Sequence, residues 1–163
     1  GSADATRKWV SSLIEGADAI VNGQRLSHLP LKERRVLVGI ASAHHHLSRG
    51  SVGRLVGLRV PDATAVEIEK ALDNAGLKNT HKQRLKNGGH PLSAAQINRL
   101  KIASATLRTP PLLILEGIPP ENLQNYPGVI ISTELATGQD TGQAAGQDAG
   151  QASPSETWRQ VNI

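Results

Sequence analysis

Lys78, Lys82, Arg84, Lys86, Arg99, Lys101 and Arg108 fall in one stretch, between Asp73 and Glu116, that contains no acidic residue. His81 and His90 lie within it. Surfaces normally mix both signs, so an acid-free window of this length reads as a seat for a polyanion, most commonly a phosphodiester backbone. With imidazoles among the cations, the chemistry it would support is metal-independent RNA cleavage. A base takes the 2′-hydroxyl proton, an acid protonates the leaving 5′-oxygen, and cations stabilise the phosphorane. The candidate catalytic set is His81, His90, Lys82 and Arg84. His81 is the candidate base, because the surrounding cations favour its neutral form. The candidate nucleic-acid contacts are Lys78, Lys82, Arg84, Lys86, Arg99, Lys101 and Arg108. Without chemistry, the same residues would make a solvated basic face.

Other chemistries have less support. His44, His45 and His46 are consecutive. On a helix they would fan around the axis and could not close one metal site, with His44 on the packed Ile40–Leu47 face. The chain has no cysteine, which removes disulfides, thiolate zinc sites and thiol nucleophiles. Glu67 and Glu69 point to different helix faces, and Glu116 and Glu121 bracket a turn, so no carboxylate pair is set for acid–base work. Gly50-Ser51-Val52-Gly53 lacks the Gly-Lys-Ser/Thr that completes a phosphate loop. No Ser/His/Asp elbow is present. No cofactor and no metal are expected.

The charge is divided along the chain. Residues 1–109 hold 17 Lys and Arg against 8 Asp and Glu, whereas residues 110–163 hold 1 against 6. This is a basic body with an acidic tail. Phe and Met are absent, and Trp9, Tyr126 and Trp158 are the only aromatic residues. A core must therefore be built from Leu, Ile, Val and Ala. Readers that stack bases on aromatic platforms are disfavoured. No apolar run approaches the roughly 20 residues that cross a bilayer, and no secretory signal is visible, so localisation stays open. Gly1-Ser2 reads as a cloning remnant.

Several elements must position these residues. Helices are expected over 5–21, 30–48, 63–75 and 93–108, the last two opened by the capping boxes Thr64/Glu67 and Ser93/Gln96. Strands are expected over 52–60, 112–116 and 129–135. The fold class that follows is α+β, with a helix-rich N-terminal two thirds and a small antiparallel sheet. Residues 1–136 would form one domain, 137–155 a flexible Gly/Gln-rich linker, and 156–163 a terminal strand or tail. Gln96, Arg99 and Lys101 would face outward from the 93–108 helix, although a helix-turn-helix partner is not evident.

From Leu55 to Glu116 the order is strand, helix ending in Ala75-Gly76, a basic segment with His81, then Gly89-His90-Pro91-Leu92-Ser93 leading into a helix. Pro110-Pro111 and an apolar strand follow. This order resembles the phage- and toxin-associated ribonuclease domains grouped with barnase, EndoU, colicin ribonucleases and RelE. The resemblance implies His81 in the basic segment, Pro91-Leu92-Ser93 as the turn, and Pro111 to Leu115 opening an antiparallel meander. Gln96 stands where that family carries an acid. The reading that follows is a nucleic-acid-engaging domain, with RNA preferred, in the form of a metal-independent endoribonuclease of toxin type. The alternative is a non-enzymatic helical nucleic-acid-binding or protein-interaction module of a larger phage, viral or secreted protein. Expected partners are nucleic acid and an acidic protein, without a membrane.

Overall fold

Val38-Gly-Ile-Ala-Ser42 and Leu112-Leu-Ile-Leu-Glu116 are almost wholly buried. Continuous apolar runs of this kind are the mark of strands covered on both faces, as in parallel sheets. A computed structural model, which describes Lys8, Ser12 and residues 19–133, pairs them in that way. Short strands β1 (Ile20–Val21) and β2 (Gln24–Arg25) form a hairpin. Helix α1 (Leu31–Leu37) runs directly into β3 (Val38–Ser42). A second two-residue pair joins β4 (Gly50–Ser51) to β5 (Arg84–Leu85). Between and after them come α2 (Val52–Gly57), α3 (Ala65–Asn74) and α4 (Ala94–Thr106). Strands β6 (Leu112–Glu116) and β7 (Val129–Thr133) complete a sheet of order β3-β6-β7. Both pairings are parallel, with Val38 opposite Leu112 and Leu112 opposite Val129.

Three apolar clusters hold this arrangement. Leu113 and Leu115 of β6 face α4, packing with Ile102, Ala105 and Ile118. Leu112 and Ile114 face the other way, onto Val38, Ile40, Val21 and Leu26. The third cluster lies among α2, α3 and α4, around Val52, Val56, Leu72 and Leu100. Gly39 is required where α4 crosses β3. A Cβ there would overlap the Ala105 carbonyl and come within 2.7 Å of Pro110 Cγ. The open edge of β3 is partly closed by Arg59, whose Nη1 donates to the Ile40 carbonyl at 2.7 Å.

The expected antiparallel sheet is corrected to a parallel one. The expected 30–48 helix is α1 followed by β3, because the apolar spacing across Val36, Leu37 and Ile40 spans a helix–strand junction. Residues 52–57 are helical instead of extended. Their apolar positions Val52, Leu55 and Val56 recur at helical spacing and are buried together. Both capping boxes are formed, at Thr64/Glu67 and Ser93/Gln96, and open α3 and α4. Strand 112–116 lies where it was expected. Of the expected 5–21 helix, Lys8 and Ser12 are helical and Ile20–Val21 is a strand; the rest lies outside the described residues. The 137–155 linker and the 156–163 tail lie outside them as well.

The β6–β7 crossover, residues 117–128, contains no helix. Helices are the usual bridge between parallel strands. Here Tyr126 pins the segment instead, its hydroxyl donating to the Pro110 carbonyl. Burial pushes the phenol up to about 12. The folded value is raised, so the stabilisation is complete below the unfolded value of about 10 and is lost as pH rises through about 12. Tyr126 is the only tyrosine. Ultraviolet titration of the folded chain should therefore show one tyrosinate transition near 12, moving to about 10 in denaturant. A transition at the unfolded value in the native chain would show that the hydroxyl is not held.

Candidate functional site

In open sheets with parallel strands, ligands gather outside the carboxyl ends of the strands. Here those ends are Ser42, Glu116 and Thr133, which are neighbours in register. Backbone bonds lock them together: Ala43 N–H donates to the Glu116 carbonyl and Gly117 N–H to the Thr133 carbonyl, each at 2.8 Å. Gly117 turns the chain away at φ +63°. Ser42 is fully buried and its Oγ accepts from His44 N–H at 3.2 Å. Lys101 reaches this rim from α4 and donates to the Ala43 carbonyl at 2.8 Å, and burial pushes its ammonium pKa down.

Lys101 is seven residues past Ala94, so α4 runs about 10 Å on the N-terminal side of the residue that reaches the rim. Its first turn is held by Ser93 and Gln96. Gln96 N–H donates to Ser93 Oγ at 3.2 Å, and Ser93 N–H donates to Gln96 Oε1 at 2.9 Å. The Ala94 and Ala95 N–H groups remain at the positive end of the helix dipole.

The basic window is not acid-free in space. His81 Nδ1 stands 3.6 Å from Glu69 Oε1. Its ring lies so close over Gly53 that a Cβ there would collide with it, and its carbonyl accepts from Gly53 N–H at 2.9 Å. Arg108 pairs with Asp62 at 3.1 Å and Glu67 at 3.4 Å. Arg99 and Lys101 are partly buried, and Arg99 Nε has no hydrogen-bond partner. Lys78, Lys82, Arg84, Lys86 and His90 are exposed. Arg84 lies on β5, and the His90 carbonyl accepts from Lys86 N–H at 2.9 Å. The window thus divides between α4 and the segment preceding it. His44, His45 and His46 are exposed in the turn after β3, so the expected packing of His44 on a helix face is corrected. No group of three metal-capable side chains occurs among the described residues. A cavity of about 450 Å³ lies away from the strand ends, between α3, α4 and the 117–128 crossover. The conserved geometry of parallel sheets favours the rim over this cavity as the functional centre.

The sequence profile of the ABC transporter family matches residues 9–116, more than half of the chain. The chain belongs to the ABC transporter family. It is 32% identical over 132 residues to ABC transporter B family member 1 of Arabidopsis thaliana, covering 71% of this chain and 10% of that relative. It is 29% identical over 103 residues to a multidrug efflux ATP-binding/permease protein of Mycobacterium bovis, covering 59% of this chain and 9% of the relative. The chain therefore spans about a tenth of the length of these curated relatives. Its fold is similar to that of a bacterial Atm1-family ABC exporter solved with ATP bound, with a TM-score of 0.66 and 16% identity, covering 83% of this chain and 28% of that one.

These findings overturn the ribonuclease resemblance and the RNA-binding, toxin and phage reading drawn from it. The parallel sheet belongs to a fold similar to that of the ABC exporter and is not an antiparallel nuclease meander. Nucleic acid falls as the partner, as does the expectation of no membrane involvement. The signal that sequence reasoning missed is an apolar run ending in an acid, Leu112 to Glu116, just after Pro110-Pro111. In phosphate-loop ATPases a strand of that kind delivers the Walker-B carboxylate.

Proposed function

We propose that this chain serves as the nucleotide-binding-domain part of an ABC exporter and acts together with membrane-spanning segments. The observation that carries the reading is the family match over residues 9–116, which takes in β3, the helices after it and β6, with relatives described as efflux and exporter proteins in sequence and in fold. Glu116 occupies the strand-end position of a Walker-B carboxylate, and α4 reaches the same rim through Lys101. Among the described residues no helix is long and apolar enough to cross a membrane. The test is extraction of the tagged protein in mild detergent from the membranes of cells that make it. The expected result is recovery with a multi-span ABC permease segment, covalently joined or associated. Recovery wholly outside the membrane fraction, with no such segment, would sink the reading.

A further inference from the structure

The cavity of about 450 Å³ between α3, α4 and the 117–128 crossover has the size of a small-molecule site. Ala71 of α3, Ile102 of α4, and Leu123 and Tyr126 of the crossover give it apolar surface. Tyr126 contributes its ring, because its hydroxyl is committed to the Pro110 carbonyl. Arg99 borders the same space, one turn of α4 before Ile102. A smaller cavity of about 210 Å³ shares Arg99 and Ile102, so Arg99 borders both. Its Nε is buried and has no hydrogen-bond partner. Among the described residues no hydrogen bond or ion pair holds the side chain. The closing turn of α3 does not supply one. A Cβ at Gly76 would lie 3.5 Å from Arg99 Nη1, yet the Ala71, Leu72 and Asp73 carbonyls accept from Ala75, Leu77 and Gly76. A buried donor without a partner is costly, and folded chains seldom keep one without a use for it.

The chemistry of the lining selects the occupant. A guanidinium offers its Nε–H and one Nη–H as a parallel pair, and that edge matches the two oxygens of a carboxylate. A dianion such as phosphate is less suited. Glu67 and Glu121 line the same cavity, and Lys70, which is exposed, is the only other cation of the lining. Helix α3 also brings its carboxyl-terminal end to the cavity at Asn74 and Ala75, which is the negative end of its dipole. A single negative charge meets Arg99 with less repulsion from these groups. The apolar surface beside the guanidinium calls for an apolar body on the same molecule.

We propose that this cavity is a second ligand site, which takes a small organic monocarboxylate with an apolar body and anchors it on Arg99. The carboxylate accepts from Nε–H and one Nη–H, and the body lies against Ile102, Leu123 and Tyr126. The bound molecule ties the 117–128 crossover, which has no helix of its own, to α3 and α4. The site is separate from the strand-end rim and stands or falls without the exporter reading.

The experiment titrates benzoate into the full ¹⁵N-labelled chain and follows the arginine Nε–H and backbone amide signals by NMR. Benzamide, which has the same shape without the charge, and inorganic phosphate are titrated beside it. The Arg99 Nε–H signal is assigned by its loss in Arg99→Met. Benzoate should move that signal and the Leu123 amide together, saturating with a dissociation constant on the order of 1 mM. Benzamide and phosphate should bind at least about tenfold more weakly. Arg99→Lys keeps the charge without the planar edge and should lose at least about tenfold in benzoate affinity. Arg99→Met should bind no benzoate yet melt no lower than the unaltered chain, because the guanidinium has no hydrogen-bond partner to lose. An Arg99→Met melt well below that of the unaltered chain would assign the side chain to the fold and overturn the proposal. So would an Arg99 signal that stays in place up to about 50 mM benzoate, since binding weaker than that is not a site. Phosphate binding as tight as benzoate, or full benzoate affinity in Arg99→Lys, would overturn it as well.

Discussion

Gly39→Val should abolish the native fold. Gly39 sits in the middle of β3 where α4 crosses closely, and the added Cβ would overlap the Ala105 carbonyl and meet Pro110 Cγ at 2.7 Å. Neither obstacle is the free end of a flexible side chain. One is helix backbone and the other a ring that leads into β6. Over-packing a core costs about 1–3 kcal/mol where side chains can yield. Here the helix must lift off the sheet, so the loss should exceed about 3 kcal/mol. Domain stabilities start at about 5 kcal/mol, and a core without Phe or Met belongs at that lower end, where such a loss leaves little or none. Circular dichroism during urea titration should show no native baseline for Gly39→Val. Gly57→Ala is the matching control, because its Cβ meets only the Ile68 Cδ1 tip at 3.2 Å. It should shift stability by no more than about 1 kcal/mol, since the gain in helix propensity offsets the crowding. A native-like melt for Gly39→Val would show that α4 does not pack as closely as described.

What the sequence disclosed, and what it hid, follows from how local each signal is. The capping boxes at Thr64/Glu67 and Ser93/Gln96 are closed within four residues, so α3 and α4 were legible from spacing alone. The apolar run Leu112 to Leu115, stopped by Pro110-Pro111 on one side and Gly117 on the other, was legible as a strand. Its direction relative to its neighbours was not. Parallel pairing joins Val38 to Leu112 across more than seventy residues, and no local pattern records such a contact. The run Val38–Ser42 was hidden because α1 feeds it without a break, which lets helical spacing carry across the junction.

The basic window misled for a related reason. Charge along a sequence is a poor guide to charge in space. Glu69 comes to His81 from α3, and Asp62 and Glu67 come to Arg108, all from before the window begins. Backbone and hydroxyl hydrogen bonds from Thr64 also hold the Glu67 carboxyl below its usual range, so it stays ionised beside Arg108. The strand-end site was obscured because its mark in the sequence is short: an apolar run of four residues closed by Glu116, where an aspartate would mark the strand.

Leu113→Ala should be the most costly single truncation in the sheet. Leu113 has no exposed surface and lies in the central strand. It packs with Ile102 and Ala105 of α4 and with Ile118 at the start of the crossover. The strand is hydrogen-bonded on both sides, to Gly39 and to Ile130 positions in register, so its backbone cannot move inward to fill a void. Buried Leu→Ala changes cost about 2–5 kcal/mol, and the upper part of that range belongs to sites that cannot collapse. A loss of about 4 kcal/mol is therefore expected, read as a lower urea midpoint at unchanged slope. Leu58→Ala should change stability by less than about 0.5 kcal/mol, because that side chain is 57% exposed. The contrast isolates the sheet. Equal effects at the two positions would mean that β6 is not the centre of the core, and the strand-end site built on Glu116 would lose its support.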